Sequence, residues 1–132
     1  MKPSRPSLAM LGLLVGAAAP LTADAGCPYM TASIGGPSSI SRLDPIQTYT
    51  ASTVGGTPTP PPTYTWTVRT YNVALRMWTF PSTFPGGASV TVGPRGASCG
   101  VSSFQVSVRV VDACGVAATA TKTVPVFDWV PC

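Results

Sequence analysis

Three aspartates are the only acidic side chains available for chemistry in the body of this sequence. The chain of 132 residues contains no histidine and no glutamate, and the fourth aspartate, Asp24, lies in an N-terminal segment that we expect to be removed. Catalysis by a pair of carboxylates requires both groups to flank one bond. Nothing in the sequence brings Asp44, Asp112 and Asp128 together, and Asp44 precedes a proline, a common start of a turn. We therefore predict turn or cap roles for the aspartates and no catalytic residue.

Serine and threonine hydroxyls are abundant, but the sequence offers no good base to activate one. A Gly-x-Ser-x-Gly motif is absent, and a Ser-Lys dyad could use only Lys122 outside the N-terminal segment. Lys122 lies in a threonine-rich segment that we predict as a strand, where an exposed lysine commonly protects a sheet edge. The sequence therefore predicts a protein that is not an enzyme.

The cysteines favour covalent cross-links over metal binding. Four are present: Cys27, Cys99, Cys114 and Cys132. An even number in a small exported chain indicates disulfides, whereas the absence of histidine and of any short Cys-x-x-Cys spacing disfavours zinc. We expect no metal and no cofactor. A lipid anchor on Cys27 stays open, because Ala25-Gly26-Cys27 resembles the end of a lipobox, although Asp24 stands where that motif has an aliphatic residue.

An aromatic cluster is the best candidate for a contact site. Trp78 and Phe80 share one face of a short segment with Arg76, and Phe84 follows after a proline. Such side chains could stack on a sugar or anchor a protein partner. We predict ligand contact by Arg76, Trp78, Phe80 and Phe84; a second small core beneath a long connection is the alternative.

The N-terminal segment has the layout of a secretory signal peptide. Lys2 and Arg5 precede an apolar run from Leu8 to Ala19, and Ala23-Asp24-Ala25 provides small residues for cleavage. The run is too short to span a bilayer, so we expect no stable membrane insertion. We predict a signal peptide at residues 1–25, a single domain at 26–132, and export to the periplasm or the cell exterior.

The charge pattern gives no support for nucleic-acid binding. The formal net charge of the chain is +4, but the basic residues are spaced singly and form no run that would neutralise adjacent phosphates. We interpret them as a weakly basic, soluble surface.

Alternation of apolar and polar residues predicts strands throughout the domain. The clearest case runs from Phe104 to Val110, and Tyr64-Thr-Trp66-Thr-Val68 repeats it; we expect Trp66 in the core. The chain contains 15 prolines, which leave no room for a long helix. We predict seven strands near 30–34, 46–53, 63–70, 75–80, 88–93, 102–111 and 117–126. This is an all-β, antiparallel immunoglobulin-like β-sandwich.

Strand geometry selects one of the three possible disulfide pairings. The strand 102–111 separates Cys99 from Cys114 by about 30 Å, whereas bonded cysteines need Cα atoms within about 7 Å. In an immunoglobulin-type sandwich, the first strand starts where the last two strands turn, close to Cys114, and the last strand returns to the opposite end. We therefore predict Cys27–Cys114 and Cys99–Cys132.

Three segments resemble the polycystic-kidney-disease (PKD) domain and related bacterial immunoglobulin-like modules. They are Tyr64-Thr-Trp66-Thr-Val68, Phe104-Gln-Val-Ser-Val-Arg-Val-Val-Asp112 and Ala120-Thr-Lys-Thr-Val124, and the likeness covers roughly residues 30–127. The resemblance implies a non-catalytic extracellular module for adhesion, spacing or ligand contact, with a protein or glycan at the cell surface as partner. The alternative is a small disulfide-stapled inhibitor or effector that acts through the proline-rich loop Thr57 to Thr63, because proline lowers the entropy lost on docking.

Overall fold

The computed structural model describes residues 26–93 and 99–132; the predicted signal peptide lies outside these residues. The described part of the chain contains no helix, and therefore none long and apolar enough to cross a membrane. The described residues form eight strands: β1 (Met30–Gly35), β2 (Gln47–Gly55), β3 (Thr63–Asn72), β4 (Met77–Trp78), β5 (Ser82–Gly86), β6 (Ser89–Val92), β7 (Val101–Val111) and β8 (Ala117–Pro125).

The strands form two antiparallel sheets that pack face to face. The first sheet has the order β1-β2-β6. In the second sheet, β7 lies between β3 and β8, and the short strands β4 and β5 both pair with the other side of β3. After β1, Ile40 forms a parallel bridge with Val126, which links the first connection to the second sheet. The protein is an all-β immunoglobulin-like sandwich, as the sequence predicts.

The core follows from the period-2 alternation of the long strands. On β7, the side chains of Phe104, Val106, Val108 and Val110 are buried, whereas the residues between them face outward. Trp66 on β3 is fully buried, and its indole nitrogen donates a hydrogen bond to the Gly87 carbonyl oxygen at 2.8 Å. Each large apolar side chain buried in this way contributes about 1.5–3 kcal/mol.

The predicted single strand at 75–80 is wrong. Strand β3 continues to Asn72, whose side-chain oxygen accepts a hydrogen bond from the Leu75 amide at 3.0 Å and closes a turn over 73–76. Only Met77–Trp78 then pairs as β4, and Pro81 separates it from β5. The alternation did not reveal β5 because all five of its residues are exposed.

One disulfide lies at each end of the sandwich. Cys27 is bonded to Cys114 with Cα atoms 5.9 Å apart, at the end where β1 begins and β7 turns into β8. Cys99 is bonded to Cys132 with Cα atoms 4.9 Å apart, at the opposite end. These are the two pairs that the strand geometry predicts. We call the end of the sandwich with Cys27–Cys114 the first end, and the end with Cys99–Cys132 the second end.

The sequence predicts that Lys122 is exposed, but the structure places its side chain on the core side of the sheet. It pairs with Val106, whose side chain is fully buried, and paired residues project from the same side of a sheet. Lys122 is therefore on the core side of the edge strand β8, where it is half-buried. An inward-pointing charge on an edge strand disfavours the addition of another strand, so the edge-protecting role has a different geometry from the expected one.

Candidate functional site

The tip of the β3–β4 hairpin forms an aromatic cluster on the outer face of the second sheet. Tyr71 and Trp78 are paired across the hairpin, and their rings meet edge to face at a centroid distance of 5.3 Å. The guanidinium carbon of Arg69 lies 4.9 Å from the Trp78 ring centroid. Such a cation–π contact is worth about 0.5–1 kcal/mol at an exposed site, so Arg69 and Tyr71 hold Trp78 in place.

A cavity of about 400 Å³ opens beside this cluster. Its lining residues are Arg69, Leu75, Met77, Trp78, Thr79, Phe80 and Pro81. The apolar side chains around it are unusually open to solvent: Phe80 is 97% exposed, Leu75 64% and Met77 53%. We call Arg69, Leu75, Met77, Trp78 and Phe80 the hairpin patch.

The structure brings together two of the four predicted contact residues. Trp78 and Phe80 both line the cavity. Arg76 is exposed in the hairpin turn, where its φ is +53°, and it does not line the cavity. Phe84 pairs with buried Trp66 and therefore lies on the core side of the sheet, with 36% of its surface exposed. The break at Pro81 starts a new strand, so the side-chain alternation does not carry from Phe80 to Phe84.

Sequence reasoning missed three members of the hairpin patch: Arg69, Leu75 and Met77. Arg69 comes from β3, and its place beside Trp78 depends on the turn that folds β4 back onto that strand. Asn72 marks this turn, since asparagine side chains commonly accept hydrogen bonds from amides a few residues ahead. Recognising the turn would have placed Arg69 near the aromatic residues.

Beyond the hairpin patch, rows of polar side chains cross the outer face of the second sheet. In one row, the Thr67 and Thr83 hydroxyl oxygens lie 3.1 Å apart, and those of Ser107 and Thr121 lie 3.0 Å apart. The register places Thr67 next to Ser107, so the four hydroxyls form one line across four strands.

Two arginines border this line of hydroxyls. On one side, the Arg69 Nε donates to the Gln105 side-chain oxygen at 2.7 Å. On the other side, exposed Arg109 lies between Thr65 and Thr119 in the register. A shallow depression of about 370 Å³ covers this area. We call its polar lining the hydroxyl face: Thr65, Thr67, Thr83, Ser107, Arg109, Thr119 and Thr121.

Asp112 serves as a structural acceptor at the first end of the domain. Its carboxylate accepts hydrogen bonds at 2.9 Å from the amides of Thr57, Cys114 and Val116. Burial raises the pKa of this carboxyl, whereas hydrogen bonds from these amides and from the Gly115 amide lower it. The hydrogen bonds have the larger combined effect, so the pKa lies below its usual value. Asp112 therefore joins the β2–β3 and β7–β8 loops.

Asp44 and Asp128 meet around Ser41 at the second end. The Ser41 amide donates to Asp44 at 2.8 Å, and the Ser41 hydroxyl donates to Asp128 at 2.6 Å. The Arg42 amide and this hydroxyl hold the pKa of the Asp128 carboxyl below its ordinary value. No local pattern around Asp44 or Asp128 predicts this proximity, because the two residues are 84 positions apart in the chain. Within residues 26–93 and 99–132, no three cysteine or acidic side chains group as metal ligands would.

The proline-rich loop lies at the first end, away from the hairpin patch. Thr57 anchors its start: the Thr57 amide donates to Asp112, and its hydroxyl lies 3.5 Å from the Cys114 sulfur. Residues 58–61 that follow are exposed. The loop thus forms a surface separate from the hairpin patch.

Comparisons with known proteins do not assign this chain to a family. No protein-family model matches the chain, and no curated protein matches it. A solved structure of the CARDB domain of the PF1109 protein from Pyrococcus furiosus, in complex with di-metal ions, is similar to this chain. The two are 16% identical, the match covers 75% of this chain and 90% of that chain, and the TM-score is 0.36. Our fold assignment rests on the strand order and register described above.

Proposed function

We propose that this chain is an exported, non-catalytic binding module that docks a partner protein through the hairpin patch. The observation that carries the proposal is the nearly complete exposure of Phe80 beside the open apolar cavity. An exposed group of large apolar side chains is costly in water, and on soluble proteins it commonly marks an interaction surface.

The chemistry of the hairpin patch favours a protein over a glycan as partner. Tryptophan, phenylalanine, methionine and arginine are enriched at protein interfaces. A sugar needs several hydrogen-bonding groups around an aromatic platform, whereas the cavity offers only Arg69 and Thr79 as polar lining. Pro85 within the edge strand β5 and Pro81 just before it have no backbone N–H donor. We therefore expect the partner to bind through side chains and not by adding a strand.

Export and the type of module are part of the same proposal. Two disulfides suit an oxidising compartment such as the periplasm or the cell exterior. We infer that the module is PKD-like, since the alternating strand from Phe104 to Val110 leads directly into Asp112, as in that family. Asp112 and the other two described carboxylates accept amide or hydroxyl hydrogen bonds within loops, which supports structural roles for them.

A quantitative pull-down tests the proposal. The oxidised protein is immobilised, exposed to secreted and envelope proteins of the source cells, and compared with Phe80→Ser. A central aromatic anchor contributes at least about 2 kcal/mol, so we expect the variant to bind the retained partner about thirtyfold more weakly. The matched control is Tyr29→Ser, because Tyr29 is also an exposed aromatic residue, 80% accessible, at the first end.

Two outcomes would contradict docking at the hairpin patch. One is an equal loss of the partner in Phe80→Ser and Tyr29→Ser. The other is full binding by Phe80→Ser together with loss in a Pro58→Ala/Pro61→Ala variant, which would favour the inhibitor or effector that acts through the proline-rich loop.

A further inference from the structure

We propose that the hydroxyl face binds an acidic polysaccharide, a ligand different from the partner protein at the hairpin patch; the two surfaces share Arg69 at their border. The hydroxyl face is a second, chemically different surface: it is shallow, is built on the middle of the second sheet, and is lined mostly by threonine and serine, whose methyl and methylene groups are exposed beside their hydroxyls. Its side chains come from β3, β5, β7 and β8, so the register of four strands fixes their positions.

The charge of this surface selects an anionic ligand. Arg69 and Arg109 border the line of hydroxyls, and none of the eight described strands contains an aspartate or a glutamate. The three described carboxylates lie in loops, where amides and the Ser41 hydroxyl occupy them. The positive charge of the two guanidinium groups is thus not balanced on the face itself. Arginine forms paired hydrogen bonds with carboxylate or sulfate groups.

The remaining side chains favour a polysaccharide over an acidic protein. The depression is lined by threonine and serine hydroxyls, which can donate to and accept from the many hydroxyls of a sugar chain. A protein partner would need apolar anchors at the centre of its interface, and the only apolar lining residue here is Val108, which is buried.

The shape of the outer face suits an extended polymer. The polar rows cross the strands and lie side by side along β3, from Thr65 to Arg69. From Thr63 to Tyr71, the strand spans about 26 Å at 3.3 Å per residue. A chain of several sugar units could run along β3, with its acidic groups at the two arginines.

Binding of defined polymers to the purified oxidised protein tests this proposal. The probes are polygalacturonate for carboxylates, heparin for sulfates, dextran as the neutral polymer and polyglutamate as the acidic polypeptide. We expect calorimetry to show salt-sensitive binding to at least one acidic polysaccharide and markedly weaker binding to dextran and polyglutamate.

Matched variants locate the site on the protein. Arg109→Gln should weaken binding about tenfold, the value of one charge-assisted hydrogen bond. Arg76→Gln removes the same charge from an exposed arginine outside the face and should leave binding unchanged. Thr67→Val/Thr121→Val keeps the β-branched shape but removes two hydroxyls, and should also weaken binding. Thermal melting confirms that each variant is folded.

Several results would overturn the proposal. They are the absence of binding to both acidic polysaccharides, equal binding of dextran, equal or tighter binding of polyglutamate, and equal losses in Arg109→Gln and Arg76→Gln. Phe80→Ser distinguishes polysaccharide binding at the hydroxyl face from protein docking at the hairpin patch. It should weaken binding of the protein partner about thirtyfold and leave polysaccharide binding unchanged, so either proposal can fail without the other.

Discussion

The two disulfides should contribute unequally to stability, because they close loops of different length. Removing a cross-link increases the entropy of the unfolded chain, and the increase grows with the logarithm of the closed loop. Cys27 and Cys114 are separated by 87 positions, and Cys99 and Cys132 by 33. The chain-entropy relation gives about 4.6 kcal/mol for the longer loop and about 3.7 kcal/mol for the shorter one.

Both figures are large relative to the stability of a domain of this size. Small domains have free energies of unfolding of about 5–15 kcal/mol. We therefore expect Cys27→Ala/Cys114→Ala to be close to the limit of folding at 37 °C, and Cys99→Ala/Cys132→Ala to be weakened by about 1 kcal/mol less.

Urea unfolding at 15 °C, followed by tryptophan fluorescence, measures both variants against the wild type. Trp66 is fully buried and reports on the core. A decrease in the free energy of unfolding that is larger for the Cys99–Cys132 pair would refute the loop-entropy reasoning. A non-reducing peptide map that links Cys99 to Cys114 would refute the strand arrangement itself.

Three further predictions concern single side chains. The pKa of Asp112 is lowered in the folded state, so ionised Asp112 stabilises the fold above about pH 4, and this contribution is lost as the pH falls through the folded pKa. The melting temperature of Asp112→Asn should therefore depend less on pH between pH 6 and 2.5 than that of the wild type. The same slope in both proteins would contradict the role of the loop amides. Lys122→Val should produce concentration-dependent association in light scattering, because the β8 edge loses its inward charge; a strictly monomeric variant would argue against edge protection. Trp66→Phe should cost about 2–3 kcal/mol in urea unfolding, since it removes buried surface and the hydrogen bond to Gly87; a change below about 0.5 kcal/mol would contradict a packed core at this position.

The long strands could be predicted from the sequence because one of their faces is buried. The alternation from Phe104 to Val110 reports directly on the packed side of β7. The short strand Ser82–Gly86 has no buried residue, so no hydrophobic pattern marks it. Only its backbone pairing with β3 defines this strand, and that pairing depends on the turn at residues 73–76, which folds the chain back onto β3.

The orientation of Lys122 could have been predicted from its neighbours. Val124 is buried and lies two positions further along β8, and residues two apart on a strand share a face. The preference of lysine for solvent suggested the opposite orientation. The register shows that position on the strand determines the direction of this side chain.

The contact residues were only partly predictable for a related reason. Trp78 and Phe80 are two positions apart, so local alternation was enough to place them together. Phe84 follows a strand break, and Arg69 reaches Trp78 only through the folding of the hairpin. Information of this kind lies in the pairing of strands and not in the local sequence.

Site-specific photo-crosslinking tests the central claim, docking through the hairpin patch, most directly. A photoreactive benzoylphenylalanine at position 80 should be tolerated, because Phe80 is 97% exposed. Irradiation of the source cells should then give one discrete protein adduct, which is absent when the same group replaces Tyr29. No adduct at position 80, or the same adducts from both positions, would contradict docking through the hairpin patch.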